Sequence, residues 1–124
     1  MAATLHNDVF DNGLAPLATI VENLYICSAQ PTTFAEASST YKLGTKATPT
    51  ISAPADHTSG RKVTVSAITD GTVSANGTAA WFALTDDSAS KLLVAQELNA
   101  TQVVTSGNTF TLTAIIVAIP DPTA

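Results

Sequence analysis

Apolar residues near the start of the chain recur at a spacing of three to four, which is the spacing of one helical face. The series is Val9, Phe10, Leu14, Leu17, Ile20, Val21 and Leu24. Asn7 can cap the start of such a helix with its side-chain oxygen. Pro16 falls inside the pattern, and an internal proline removes a hydrogen bond and clashes with the preceding turn. We therefore expect a helical N-terminal segment over residues 7–23, either kinked or split into two short helices.

From Lys62 onward the hydrophobic period shortens to two, the period of a strand with one buried face. Leu24–Ser28 reads as a first strand, and Lys62–Ile68 alternates clearly. Asp70–Gly71 indicates a tight hairpin turn, because both residues tolerate positive φ. Asn76–Gly77 indicates either a second tight turn or a bulge in one long strand. Residues 45–60, rich in Thr, Pro, Ser and Ala, read as a long ordered loop.

The last apolar run, FTLTAIIVAI, predicts the final strand, and its second half is apolar on both faces. Ile115, Val117 and Ile119 would face one way, while Ile116 and Ala118 would face the other. An antiparallel strand that is apolar on both faces has to be covered on both. The N-terminal helix is one candidate for this cover, and another subunit is the alternative.

These elements predict a mainly β protein, an antiparallel β-sandwich or flattened barrel with an N-terminal helix. At 124 residues the chain has the length of a single domain and can bury one real core. We expect one domain over residues 1–124, consisting of the helical segment 7–23, a β-sandwich over 24–119 and a C-terminal tail over 120–124.

Composition narrows the classes of partner. Only 12% of the residues are charged, and the formal net charge is −5 with five Lys and Arg residues in total. Phosphate contacts need clustered basic residues, so we expect no nucleic-acid partner. No apolar run is long enough to span a bilayer, and the first ten residues lack the pattern of a secretory signal, so we expect no membrane partner.

The candidate chemical groups are better explained as ordinary structure. Asp86 and Asp87 are adjacent between two strand-like runs, at hairpin-loop spacing, so we interpret them as turn residues that are dispensable for stability. His57 lies in a polar loop beside Asp56, without the strained nucleophile turn or metal-ligand spacing that catalysis needs. Cys27 sits in an apolar strand and reads as a small buried hydrophobe. We expect no catalytic residues, no cofactor and no metal.

Adjacent aromatic residues mark a candidate contact surface. Trp81 and Phe82 fall on one predicted strand, so one side chain points into the core and the other points outward or into a second layer, and the sequence does not distinguish them. Aromatic residues are enriched where protein surfaces pair. The candidate protein–protein interface therefore comprises Trp81, Phe82, Ile115, Val117 and Ile119.

Several longer sequence segments resemble one known family. They are LHNDVFDNGL (5–14), LYICSAQPTTFAEA (24–37), YKLGTK (41–46), GRKVTVSAITDGTVSANGTAAWFALTD (60–86) and ASKLLVAQELNATQVVTSGNTFTL (89–112). In this order they resemble short structural proteins encoded by tailed bacteriophages and prophages among capsid and tail genes.

The resemblance implies a component of the virion, assembled in the host bacterial cytoplasm. It favours a homo-oligomeric capsid decoration (cement) protein that binds the major capsid protein or a neighbouring virion protein. The alternative is a neck, tail or fibre-associated protein, acting as a ring subunit or a host-contacting module.

Overall fold

The computed structural model describes residues 17–58 and 61–119, together with the backbone of residues 3–5. Helix α1 spans only Leu17–Ile20. The earlier part of the predicted helical segment, residues 7–16, lies outside the described residues, as does the predicted tail 120–124. The end of that segment was placed too late, because strand β2 already begins at Asn23. The backbone N–H of Glu22 donates to the carbonyl oxygen of Thr85 at 2.8 Å, which draws the chain into the sheet.

The described part of the chain is mainly β, with antiparallel sheets that form a curled half-barrel, and the small N-terminal helix is present. This confirms the predicted fold class. The strands are β1 (Ala3–Leu5), β2 (Asn23–Cys27), β3 (Lys42–Ala47), β4 (Ala55–Asp56), β5 (Arg61–Val65), β6 (Ile68–Val73), β7 (Gly77–Asp86), β8 (Lys91–Val104), β9 (Thr109–Leu112) and β10 (Ile115–Ile119). Seven of them form one sheet in the order β1-β8-β7-β2-β3-β6-β9, and three form a second in the order β10-β5-β4.

One bent ribbon of two chain segments joins the two sheets. Val65 on β5 pairs with Ile115 on β10 in the small sheet, and Ile68 on β6 pairs with Leu112 on β9 in the large one. Only two residues separate the strands on each side of this ribbon. Strands that change sheets through such a bend form the corners of a sandwich. The final run FTLTAIIVAI is therefore two strands, β9 and β10, rather than one.

The predicted hairpin at Asp70–Gly71 is wrong, because both residues lie inside β6. Gly71 pairs across the ladder with Phe110, and a Cβ atom on Gly71 would lie 2.3 Å from the Phe110 ring. The glycine thus makes room for an aromatic ring instead of forming a turn. Asp70 is exposed and forms an ion pair with Lys46 at 3.1 Å.

The main core lies between the concave face of the large sheet and the small sheet. It includes Leu17 of α1, Phe82 of β7 and Val117 of β10, all of them buried. A smaller cluster on the convex face joins Ala37 to Ala83, Leu92 and Ala95. The central strands are therefore buried on both faces, which explains their long continuous apolar runs.

The predicted loop over residues 45–60 begins too early, because residues 45–47 belong to β3. A short π-helical turn, Glu36–Thr40, follows one helical turn begun at residue 34 and supplies the cover on the convex face. From residue 48 to 58 the chain is mainly loop, with one isolated bridge at Ile51 and the two-residue strand β4. Within the described residues, no helix is long and apolar enough to cross a membrane.

Candidate functional site

Trp81 and Phe82 point to opposite faces of β7, as the alternation of a strand requires. The Phe82 side chain is 1% exposed and belongs to the main core. Trp81 is partly exposed on the convex face, where it pairs with Cys27 of β2 and Glu97 of β8. The outward member of the aromatic pair is therefore Trp81, and Phe82 is a core residue.

Strand β10 turns its Ile115, Val117 and Ile119 side toward the core. Val117 is 3% exposed, and the two isoleucines are partly buried against the core cluster. Val117 is thus a core residue rather than a contact residue. The other face carries Ile116, which is 42% exposed. Helix α1 contributes Leu17 to the core on the inner face of β10. Within the described residues, Ile116 on the outer face therefore stays exposed.

Two members of the predicted interface, Phe82 and Ile115, meet in a cleft of about 370 Å³. One wall of this cleft is the stretch Gln96–Gln102 of β8, and the other is the bend between β9 and β10. The pairing of β8 with β7 shifts register here, since Glu97 is opposite Trp81 but Gln102 is opposite Ala79. The intervening residues therefore bulge away from β7.

A side-chain bond crosses the cleft. The Gln102 amide Nε2 donates to the backbone oxygen of Thr111 on β9, at 2.6 Å. Strands β8 and β9 stand near opposite edges of the seven-stranded sheet. The bond therefore ties the two sides of the half-barrel together at a place where, among the described strands, no backbone ladder joins them.

Asp86 and Asp87 do belong to a hairpin, with Asp86 at the end of β7 and residues 87–90 forming the turn to β8. Their surroundings differ sharply. The Oδ2 atom of Asp87 accepts a hydrogen bond from the Tyr25 hydroxyl, and its Oδ1 accepts one from the Thr85 hydroxyl, both at 2.6 Å. Thr85 is fully buried. Asp87 therefore anchors the turn to the sheet beneath it.

The electrostatics of Asp87 follow from these contacts. Burial alone would raise its pKa, but hydrogen bonds from Thr85, Tyr25 and Asn23, with the charge of Lys42, bring the net shift of the pKa below the ordinary value. Burial, followed by the bond to the Asp87 carboxylate, raises the pKa of Tyr25. The Tyr25 phenol therefore stays protonated and remains a donor at neutral pH.

A second contact holds the same turn from the α1 side. Glu22 accepts hydrogen bonds from the backbone N–H of Ser88 at 2.6 Å and from the Ser88 hydroxyl at 2.9 Å. These bonds lower the pKa of Glu22. Partial burial, followed by the contact with Glu22, raises the pKa of Asp86. No pattern in the sequence indicates the contact between Glu22 and Ser88, because the two residues stand 66 positions apart.

The remaining candidate groups are separate from one another. Cys27 is buried, its thiol lies 3.7 Å from the backbone oxygen of Ala37, and burial raises the pKa of that thiol to about 12. His57 is exposed beside Asp56, whose carboxylate pairs with Arg61. Across residues 17–58 and 61–119, no three His, Cys, Asp or Glu side chains are arranged to hold a metal ion.

Comparison of the chain with models of protein families, with curated proteins and with solved structures finds no match in any of the three.

Proposed function

We propose that this chain is a structural protein of a tailed-phage virion, and within that class a capsid decoration (cement) protein that stabilises the head shell through protein–protein contacts. The resemblance of its longer phrases to short phage structural proteins supports the class. Its partner in this proposal is the major capsid protein or a neighbouring virion protein, together with further copies of the chain.

The observation that best supports an assembly role is the outer face of β10. This strand contains no charged residue, Ile116 is 42% exposed, and Ala118 lies on the same face. On its free side β10 has no strand partner among the described residues, because the small sheet has the order β10-β5-β4. Exposed apolar strands at a sheet edge tend to pair with other chains unless charges or prolines protect them.

The strength of such a contact is set by apolar burial, worth about 25 cal/mol for each Å² removed from water. One five-residue strand is only about 17 Å long, so a single contact buries less than the roughly 1,000 Å² of a stable pairwise interface. A decoration protein overcomes this limit because each copy is held by several neighbours at once. The same contact would be weak for an isolated copy.

The test compares Ile116→Asp with Val103→Asp in particles of the encoding phage. Val103 is 85% exposed on β8, so its replacement removes exposed apolar surface at a different place in the fold. We expect wild type and Val103→Asp to remain on purified particles through a salt series, because salt screens ion pairs but leaves hydrophobic burial intact. A folded Ile116→Asp protein should be lost from the particles.

Release of the wild type by molar salt, or full retention of folded Ile116→Asp, would contradict assembly through β10.

Copy number separates the decoration role from the neck or tail alternative. Icosahedral shells require copies on the order of hundreds per particle, whereas a ring of cyclic symmetry needs a handful. The gel-band ratio to the major capsid protein in purified virions measures this.

A further inference from the structure

The connection between β6 and β7 ends in an exposed asparagine, Asn76, and β7 begins at the next residue, Gly77, which pairs with Val104 of β8. The Asn76 side chain is held by a hydrogen bond although the residue is exposed. Its side-chain Oδ1 accepts a hydrogen bond from the backbone N–H of Ser106, in the turn between β8 and β9, at 2.8 Å. The donor is a backbone N–H, so the atom that faces it has to be the amide oxygen.

Packing favours a glycine after this asparagine. A Cβ atom at position 77 would lie 2.9 Å from a methyl carbon of Leu43, which is itself buried. A residue without a side chain also leaves its backbone nitrogen unusually accessible to the preceding side chain. The fold thus keeps the least hindered possible neighbour next to an exposed amide.

We propose that Asn76 is a site of spontaneous deamidation that the folded structure promotes. The backbone nitrogen of Gly77 attacks Cγ of Asn76 and forms a new C–N bond. The Cγ–Nδ2 bond breaks, and the proton from the Gly77 nitrogen leaves with the amide group as ammonia. Water then opens the five-membered imide at either carbonyl, which gives aspartate or isoaspartate. The net reaction consumes one water, releases one ammonia and needs no oxidant or reductant.

Ser106 is the positioning residue of this reaction. Negative charge develops on Oδ1 as the tetrahedral intermediate forms, and a fixed donor aimed at that atom stabilises the charge. The Ser106 N–H stands at 2.8 Å, within the roughly 2.7–3.1 Å range of effective oxyanion donors. In an unfolded chain Asn76 loses this donor, because residues 76 and 106 no longer meet.

Deamidation at Asn76 would alter the hydrogen bonds that join the β6–β7 connection to the turn between β8 and β9. Ser106 also donates through its hydroxyl to the backbone oxygen of Ser74 at 3.3 Å, and Gly107 N–H donates to Val73 at 3.0 Å. Isoaspartate lengthens the main chain at position 76, so these bonds lose their register. Either product makes the formal net charge one unit more negative than −5.

Peptide mapping can follow deamidation at Asn76 separately from other sites. Trypsin cuts after Lys62 and Lys91, and Asn76 is the single Asn or Gln in the resulting peptide 63–91. An increase of one dalton in that peptide therefore reports Asn76 alone. The protein is incubated in mildly alkaline buffer, folded in one arm and unfolded in guanidinium chloride in the other, and an Asn76→Gln protein serves as the control that should gain no mass.

We expect the folded protein to gain one dalton in this peptide faster than the unfolded chain, with isoaspartate among the products. A folded protein that reacts no faster than the unfolded chain would show that the fold does not promote the reaction and would overturn the proposal. Absence of reaction in both arms would overturn it equally.

Discussion

The Tyr25 hydroxyl on β2 donates to Asp87 in the β7–β8 turn at 2.6 Å, although the two residues are 62 positions apart. Tyr25 is buried, and the other carboxylate oxygen of Asp87 is occupied by Thr85. A carboxylate with two buried hydroxyl donors is part of the sheet's internal hydrogen bonding. The two adjacent aspartates of this turn therefore have unequal roles.

Asp87→Asn should destabilise the protein while Asp86→Asn should not. An amide at position 87 removes the charge that both hydroxyls bind and turns one of the two acceptor oxygens into a donor, and hydrogen bonds to charged groups are worth about 1.5–3 kcal/mol. Asp86 lies near the surface beside Glu22. Removing its charge should therefore change the free energy of unfolding by less than about 0.5 kcal/mol. Urea unfolding of both variants measures the difference.

The Tyr25→Phe variant tests whether the loss comes from this bond. Tyr25→Phe and Asp87→Asn should be strongly non-additive, because each removes the same contact. Additive effects of the two substitutions, or equal losses at positions 86 and 87, would contradict the anchoring role and restore the interpretation of both aspartates as dispensable.

Acid should weaken this anchor in a defined direction. The folded pKa of Asp87 lies below its ordinary value of about 3.9, so its contribution is fully present above that value and is lost as pH falls through the lower folded pKa. Asp86 has the opposite shift, so protonation of Asp86 removes a destabilising charge instead. Urea midpoints of wild type and Asp87→Asn across an acidic pH series should converge as pH falls. A constant gap would count against the carboxylate as the cause.

Gly71→Ala should cost about 1–3 kcal/mol through steric conflict with Phe110, the usual range for overpacking a core. The φ angle of Gly71 is not positive, so no backbone strain is involved. A smaller partner should relieve the conflict, and adding Phe110→Leu should cost less in the Gly71→Ala background than in wild type.

Gly107 is the matched control for that cycle. It has φ +90, and a Cβ atom there would meet nothing within 4 Å. Gly107→Ala should destabilise through backbone strain alone, and Phe110→Leu should not rescue it. Thermal unfolding of the three single variants and the two double variants decides between steric and backbone causes.

Cys27 should resist alkylation in the folded protein. Burial raises the pKa of its thiol to about 12, and the thiolate is the reactive form. Iodoacetamide should label Cys27 only after unfolding in urea, as followed by mass spectrometry. Rapid labelling of the folded protein would show that the strand β2 opens locally.

The alternation of side chains along each strand could be predicted from the sequence, but which of the two faces is buried could not. Alternation shows that Trp81 and Phe82 point to opposite faces and that Ile116 opposes Ile115 and Val117. Which face is buried depends on what packs against the strand, and that is decided by the curl of the sheet. Phe82 and Val117 are in the core because the small sheet covers the concave face of the large one.

Hydrophobic period by itself determined the mainly β class, the central strands and the turn at residues 87–90, because these depend on side chains that are neighbours along the chain. Tertiary structure decided the rest. Asp70–Gly71 has the composition of a turn, yet it lies within a strand because Phe110 on a distant segment occupies the space above the glycine. The FTLTAIIVAI run divides between two sheets because the ribbon has to bend to close the core. Asp87 became an anchor only when folding placed Tyr25 beneath it, since a hydrogen bond acts over about 3 Å regardless of separation along the chain.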